Sequence, residues 1–312
     1  MNGGFLLPFQ LKIIFCRVQS EFHMNIHTSQ EIISLLCNPD TDRFCLTDNL
    51  DLIIDECINI ANSKDNEQEA NCLWVCKTIA NIQRSFIVAF ESIKSENHYE
   101  AWCILERCEI EIDSLSKHHH YKDNDCHSIG FISEMIKHWQ SLYPYKLFFS
   151  PEILEKKVSC SICNKVITPR SNCGHILGNI YHGKMCCINV IEMEFISISA
   201  VEDPVQKYSV AFLCDPDTNE KIDHYDYSNI KFVADRVSSP FHGWKPEATT
   251  RIIDITEVSH INPLVMCPCF SGKAFGECCY NKTTLVVPHL QIQLSVKPED
   301  YLPELIPLPT TI

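Results

Sequence analysis

Four cysteines within thirteen residues, Cys267-Pro268-Cys269-Phe270-Ser271-Gly272-Lys273-Ala274-Phe275-Gly276-Glu277-Cys278-Cys279, constrain this chain more than any other feature of it. The spacing is C-x-C-x8-C-C, interrupted by one proline and two glycines, and a segment this short has too little apolar surface to fold alone. Zinc takes four tetrahedral nitrogen or sulfur ligands, and a hairpin that brings two near-adjacent thiolate pairs together satisfies it. The metal would then fold the segment. Ser271-Gly272-Lys273 supplies the turn, and Lys273 offsets part of the negative charge that four thiolates retain around a divalent ion.

A second cluster precedes it: Cys160-Ser161-Ile162-Cys163, then Cys173-Gly174-His175, His182 and Cys186-Cys187. Cys160-x2-Cys163 reads as a zinc knuckle, and the remainder offers the second half of a ribbon or treble-clef-like site. More donors are present than a four-coordinate ion can use. The expected ligands are Cys160, Cys163, His175 and Cys186, with Cys173 the first substitute and His182 the next. No HExxH and no H-x-E with P-C-x-x-C accompanies them, so a structural rather than catalytic zinc is expected.

Composition narrows the remaining classes. The 312 residues are 45% hydrophobic, enough for one or two domains and a small module. The formal charge of −14 repels phosphate backbones and anionic membranes, which disfavours broad nucleic-acid binding. Ten of the nineteen cysteines, Cys37, Cys57, Cys72, Cys76, Cys103 and Cys108 among them, lie outside the clusters and mostly at apolar helical positions. There a reduced cysteine acts as a small hydrophobe, so a cytoplasmic, reducing location is expected. The apolar segment 5–16 lacks a basic start and a cleavage site, and no run reaches the roughly 20 apolar residues of a membrane span. Helix signals begin only after Met24, so residues 1–27 read as a poorly ordered extension, with Met1 or Met24 as the start.

The expected fold class is α+β: an N-terminal helical bundle over 28–150, a central small β-rich zinc-stapled domain over 151–260, a C-terminal zinc knuckle over 261–282 and a proline-rich tail over 283–312. Thr28-Ser29-Gln30-Glu31 is a capping box. Leu50, Ile53, Ile54, Cys57, Ile58 and Ala61 draw one helical stripe, and two long helices run through Cys72–Phe90 and Ala101–Leu115. The histidine tract Lys117–Asp125 reads as a solvated loop before a further helix at Ile129–Leu142. β-rich runs follow at Phe195–Val201, Ser209–Leu213, Ile230–Val233 and Leu290–Val296, with a turn at Asp215-Pro216-Asp217.

Cys267, Pro268, Cys269, Ser271, Gly272, Lys273, Cys278 and Cys279 resemble the SEC-C motif of the SecA export ATPase tail and of many small bacterial proteins. The resemblance covers about 15 residues and implies zinc chelation and docking to proteins or ribosomes. Phe270 stands where a glycine is usual and Glu277 where a lysine is common, which weakens the basic docking surface. A wider resemblance to bacterial SEC-C-bearing proteins rests on Ala101–Glu106, Leu142–Lys146, Cys173–Gly178 and Tyr181–Cys186.

The expected function is zinc-dependent docking to a protein partner or the ribosome, away from membranes. The alternative is a metal-dependent nuclease or hydrolase, or a nucleic-acid binder, in stress or phage defence. It would use His182, His224 or His242 as base, with Lys165, Arg170 and Lys184 as local basic support. His224, Asp226 and His242 read more simply as surface or turn residues, and Glu109, Glu111 and Asp113 as a solvated helix face.

Overall fold

Among the residues that the computed structural model describes, 28–121, 125–294 and the backbone of 304–306, the chain combines helices with small antiparallel sheets and is α+β. The expectations for 1–27 and for most of the tail beyond 294 fall outside these residues. None of the described helices is long and apolar enough to cross a membrane.

Two compact units divide the chain. The first comprises Met1–Ala89, Trp102–Ser133 and Leu147–Ala211, and the second Phe90–Ala101, Glu134–Lys146 and Phe212–Ile312. In the first, α1 (Ser29–Leu35) begins at the capping box: Thr28 Oγ1 accepts from Glu31 N at 3.3 Å, and Glu31 Oε2 accepts from Thr28 N at 3.0 Å. Helices α2 (Leu50–Ser63), α3 (Glu67–Lys94), α4 (His98–Ser116) and α5 (Ile129–Ser141) follow, of which 90–94, 98–101 and 134–141 belong to the second unit. Ile54, Leu73, Ile79, Phe86, Leu105 and Leu115 are buried, each such side chain stabilising the unit by about 1.5–3 kcal/mol relative to exposure. Polar ties fix the packing. Glu69 takes the backbone and hydroxyl of Ser29 at 2.6 and 2.9 Å, and Arg84 grips Asp51 in a fork at 2.7 and 3.1 Å.

The same unit carries a long hairpin. β1 (Phe148–Cys160) pairs antiparallel with β5 (Ile188–Val201), from Phe148↔Val201 to Cys160↔Ile188, through three register irregularities. Met193, Phe195, Ile196 and Ile198 on β5 are all more than half exposed. The hairpin ends in the short strands β2 (Val166–Ile167), β3 (Ile180–Tyr181) and β4 (Lys184–Met185). This end is held to the helices: Asn71 Nδ2 donates to Ile180 O at 3.2 Å, Gly183 N donates to Asn71 Oδ1 at 2.9 Å, and Asn62 Nδ2 donates to His182 O at 3.2 Å.

In the second unit, β6 (Leu213–Cys214) pairs with β7 (Lys221–Ile222), and Asp215 Oδ1 closes the expected turn by accepting from Asp217 N and Thr218 N. The run Ile230–Val233 is not a strand but lies in helix α6 (Ser228–Arg236). Ile230, Val233, Ala234 and Val237 are buried at helical spacing, and Asp226 takes the amide of Ser228 at 2.9 Å to start it. Ser209–Leu213 is also mostly not strand: Val210, in the first unit, forms one isolated bridge to Phe148, and Leu213 alone of the run lies in β6. β8 (Trp244–Asp254), the short helix α7 (Phe275–Cys278), β9 (Thr284–Leu294) and β10 (Glu304–Ile306) complete the chain, with sheet order β10-β9-β8. Ile253, Val258, Leu285 and Val287 form a small core under the knuckle together with Cys267, Phe275 and Cys279.

Candidate metal centres

The C-terminal donors come together. Cys267 N donates to Lys273 O at 2.8 Å and Met266 bridges Ala274, closing a tight hairpin that returns the chain to α7. Phe275 N donates to Val265 O and Gly276 N to Pro263 O, both at 2.8 Å, so the start of α7 is fixed against residues 263–265. The Sγ atoms of Cys267, Cys269, Cys278 and Cys279 all lie within 4.8 Å of one another. The sulfur–sulfur distances are 3.3 Å for Cys267–Cys269, 3.6 Å for Cys269–Cys278 and 3.7 Å for Cys278–Cys279. A tetrahedron of thiolates with metal–sulfur bonds of about 2.3 Å has edges of about 3.8 Å, so these four can hold a metal ion with small shifts.

The electrostatics of the four thiols are unequal. Hydrogen bonding from Ser271, with smaller help from Cys267, brings Cys269 down to about 6, whereas burial pushes Cys267 up to about 12. Burial also raises Cys279. The cation beside this cluster is Lys282: the Cys279 thiolate holds its ammonium charge and raises its pKa. Lys273, expected from the sequence to offset thiolate charge, is exposed, and its backbone carbonyl accepts from Cys267 N. Phe270, in the place where the motif has glycine, has φ 58°, the left-handed region, and is more than half exposed.

At the central cluster β1 ends in Cys160, and the knuckle folds back at once. Asn164 N donates to Cys160 O at 2.8 Å, Ile162 N points at Cys160 Sγ at 3.4 Å, and Asn164 takes φ 59°. The mutually close donors are Cys160, Cys163, Cys173 and His175, all within 4.8 Å, with His175 Nδ1 3.7 Å from Cys160 Sγ. Cys186, expected among the ligands, touches Cys160 at 3.8 Å but stands outside that set, and Cys173 takes its place in it. Backbone amide donation from Cys163 lowers Cys160 to about 6, while burial raises Cys186 to about 11. Four donors, Cys163, Cys173, His175 and Cys186, thus surround Cys160. His182 is not one of them: it forms the left-handed corner of the β3–β4 turn, φ 50°, with its carbonyl taken by Asn62.

Other residues singled out from the sequence find ordinary places. Among the described residues His224, Asp226 and His242 join no group of metal donors; His224 lies against Tyr225 and Asp226 starts α6. The histidine tract is less solvated than expected, since His118 bonds Gly178 O at 2.7 Å and His119 packs on His127. Glu111 is not on a solvated face: burial raises its pKa, and its Oε2 has no hydrogen-bond partner. A third donor group, Cys37, Cys126 and His127, was not apparent from sequence because Cys37 lies 89 residues before Cys126, with no local spacing to link it to the Cys126-His127 pair. No family model, curated protein or solved structure matches the chain.

Proposed function

We propose that this chain is a zinc-binding docking protein of a reducing, bacterial cytoplasm, in which closed zinc sites shape a surface and the C-terminal knuckle presents it to a protein or ribosomal partner. One observation carries the reading. The four C-terminal thiols stand in tetrahedral range, Cys267 and Cys279 sit in an apolar core with Phe275, and Leu264, Met266 and Phe270 surround them at 86%, 63% and 54% exposure.

Thiolate donors select zinc or another soft ion over calcium and magnesium. A four-thiolate site leaves no position for water or substrate, which supports binding over catalysis. An apolar rim beside a rigid knuckle is what a partner buries on docking. The SEC-C resemblance agrees in both ligands and role. At the central cluster the reading takes Cys160, Cys163, Cys173 and His175 as ligands, with Cys186 as the buried neighbour. The nuclease or hydrolase alternative has no observation of its own, since its candidate bases lie outside every donor group among the described residues.

The test is metal content by elemental mass spectrometry on the reduced, purified chain and on Cys278→Ser/Cys279→Ser. Loss of about one zinc per chain in the variant is expected for a single closed site. An unchanged zinc count would overturn the reading.

A further inference from the structure

Outside the two clusters, a third set of thiol and imidazole groups converges within the first unit. Cys37 follows α1, and Cys126 and His127 precede α5; their ligand atoms all lie within 4.8 Å of one another. Asn38 N donates to Cys126 O at 2.8 Å, and Gln83 Nε2 bridges Leu36 O and His127 O at 2.8 and 2.9 Å. The two loops are therefore already joined through backbone groups.

His127 is 6% exposed, and its Nε2 lies 3.1 Å from Ile33 O. Donation to that carbonyl leaves the Nδ1 lone pair for a metal, and because Cys126 Sγ stands 3.7 Å from both ring nitrogens and Cys37 Sγ 3.8 Å from Nε2, the ring must turn to aim Nδ1 at an ion shared with the two sulfurs. A histidine whose second nitrogen is tied to a carbonyl is the usual state of a metal ligand. The Nδ1-to-sulfur spacing equals that between His175 and Cys160 in the central cluster. A second imidazole, His119, stands edge-on to His127 with ring centroids 5.5 Å apart; it lies outside the group of donors within 4.8 Å of one another and would have to swing inward to join it.

The backbone repeats a feature of the other two clusters. Left-handed residues directly follow Cys163 (Asn164, φ 59°), Cys173 (Gly174, φ 85°) and Cys269 (Phe270, φ 58°), turning the chain back after each donor. Asn38 at φ 56° does the same after Cys37, and Ser128 at φ 60° after His127.

We propose that Cys37, Cys126 and His127, with His119 as fourth donor, form a third metal site, a Cys2His2 centre for zinc or another thiophilic divalent ion. Two thiolates and two neutral imidazoles leave no net charge on a divalent ion, which suits a partly buried place. The two sulfurs stand 2.6 Å apart, closer than the roughly 3.8 Å of two thiolates sharing a tetrahedral ion. Loading therefore moves Cys37, on the half-exposed turn after α1, outward by about 1 Å. A disulfide is the competing fate of the pair, but it has no use for the two imidazoles gathered there.

The experiment uses the full chain, purified with reductant and loaded with zinc alone. Cys37→Ser/Cys126→Ser is expected to lose about one zinc per chain, separately from and additively with the loss in Cys278→Ser/Cys279→Ser. Because a variant can misfold, the wild type is also labelled with iodoacetamide: zinc protects Cys37 and Cys126, and chelation exposes both. Cobalt(II) loading adds a d–d absorption band that His119→Ala shifts. An unchanged zinc count in the first variant, equal labelling with and without zinc, or a Cys37–Cys126 cross-link two hydrogens lighter in the untreated chain would overturn the proposal.

Discussion

At the scale of single residues, the strain at Phe270 separates the two roles proposed for the knuckle. A side chain in the left-handed region costs about 1–2 kcal/mol that glycine does not incur. Glycine gives part of this back through the freedom it adds to the unfolded segment. Phe270→Gly is therefore expected to tighten zinc retention by about 1 kcal/mol, roughly five-fold in a chelator competition, while weakening partner docking by removing an apolar rim residue. Tighter zinc and tighter docking together would show that the ring contributes nothing to the surface. Glu111 gives a second residue-scale outcome. Its carboxyl binds its proton more strongly in the folded chain, because burial raises its pKa. Stability is then complete below the unfolded value near 4.3 and declines as pH rises through the raised folded value. Glu111→Gln should melt at a higher temperature than wild type at pH 7 and at the same temperature near pH 4. A wild type that is the more stable at pH 7 would mean that the ionised carboxylate has a partner.

At the scale of elements, the position most exposed to a single change is the β3–β4 turn. Gly183 has φ 78°, and a Cβ there would stand 2.9 Å from Ile58 Cγ2 and 3.0 Å from Ala70 O. Gly183→Ala must therefore strain its own backbone and push the turn off α2 and α3, at a cost of about 2 kcal/mol in thermal or urea unfolding. Helix boundaries were legible in the chain because capping and period agree: Thr28 and Glu31 form both bonds of their box, and the stripe from Leu50 to Ala61 is buried at Leu50, Ile54, Cys57, Ile58 and Ala61. The run Ile230–Val233 was not legible because its three apolar residues, Ile230, Phe232 and Val233, fit either period. What decides is Ala234 and Val237 downstream, which helical spacing brings to one buried face with Ile230 and Val233. The C-terminal tetrad could be read because all its donors fall in one short segment. At the central cluster the spacing favours Cys186 over Cys173 as the fourth ligand, whereas both reach Cys160 and the fold of the loop brings Cys173 into the mutually close set. The group at Cys37, Cys126 and His127 depends on tertiary packing, so no spacing rule reaches it.

At the scale of the whole molecule, charge decides between the two kinds of partner. A chain of net charge −14 gains nothing from approaching a phosphate backbone except through a local basic patch, and around the C-terminal knuckle the exposed residues mix apolar Leu264, Met266 and Phe270 with Lys273, Lys282 and Glu277. If docking runs through Leu264, Met266 and Phe270, binding to purified bacterial ribosomes should survive a rise from about 50 to about 200 mM salt, because apolar contact is not screened and repulsion between acidic surfaces is. A protein that held RNA through six or more phosphate contacts would lose about 10³-fold or more in affinity over the same range. Leu264→Glu/Met266→Glu adds two charges to the rim without touching a cysteine, so its zinc content should equal that of the wild type while pelleting with ribosomes is lost. Pelleting that disappears with salt and ignores the two glutamates would move the contact to the basic residues near the central cluster, Lys165, Arg170 and Lys184. Pelleting that ignores both would place it on another surface, for which the exposed Met193, Phe195, Ile196 and Ile198 of β5 are the largest apolar stretch on a single strand.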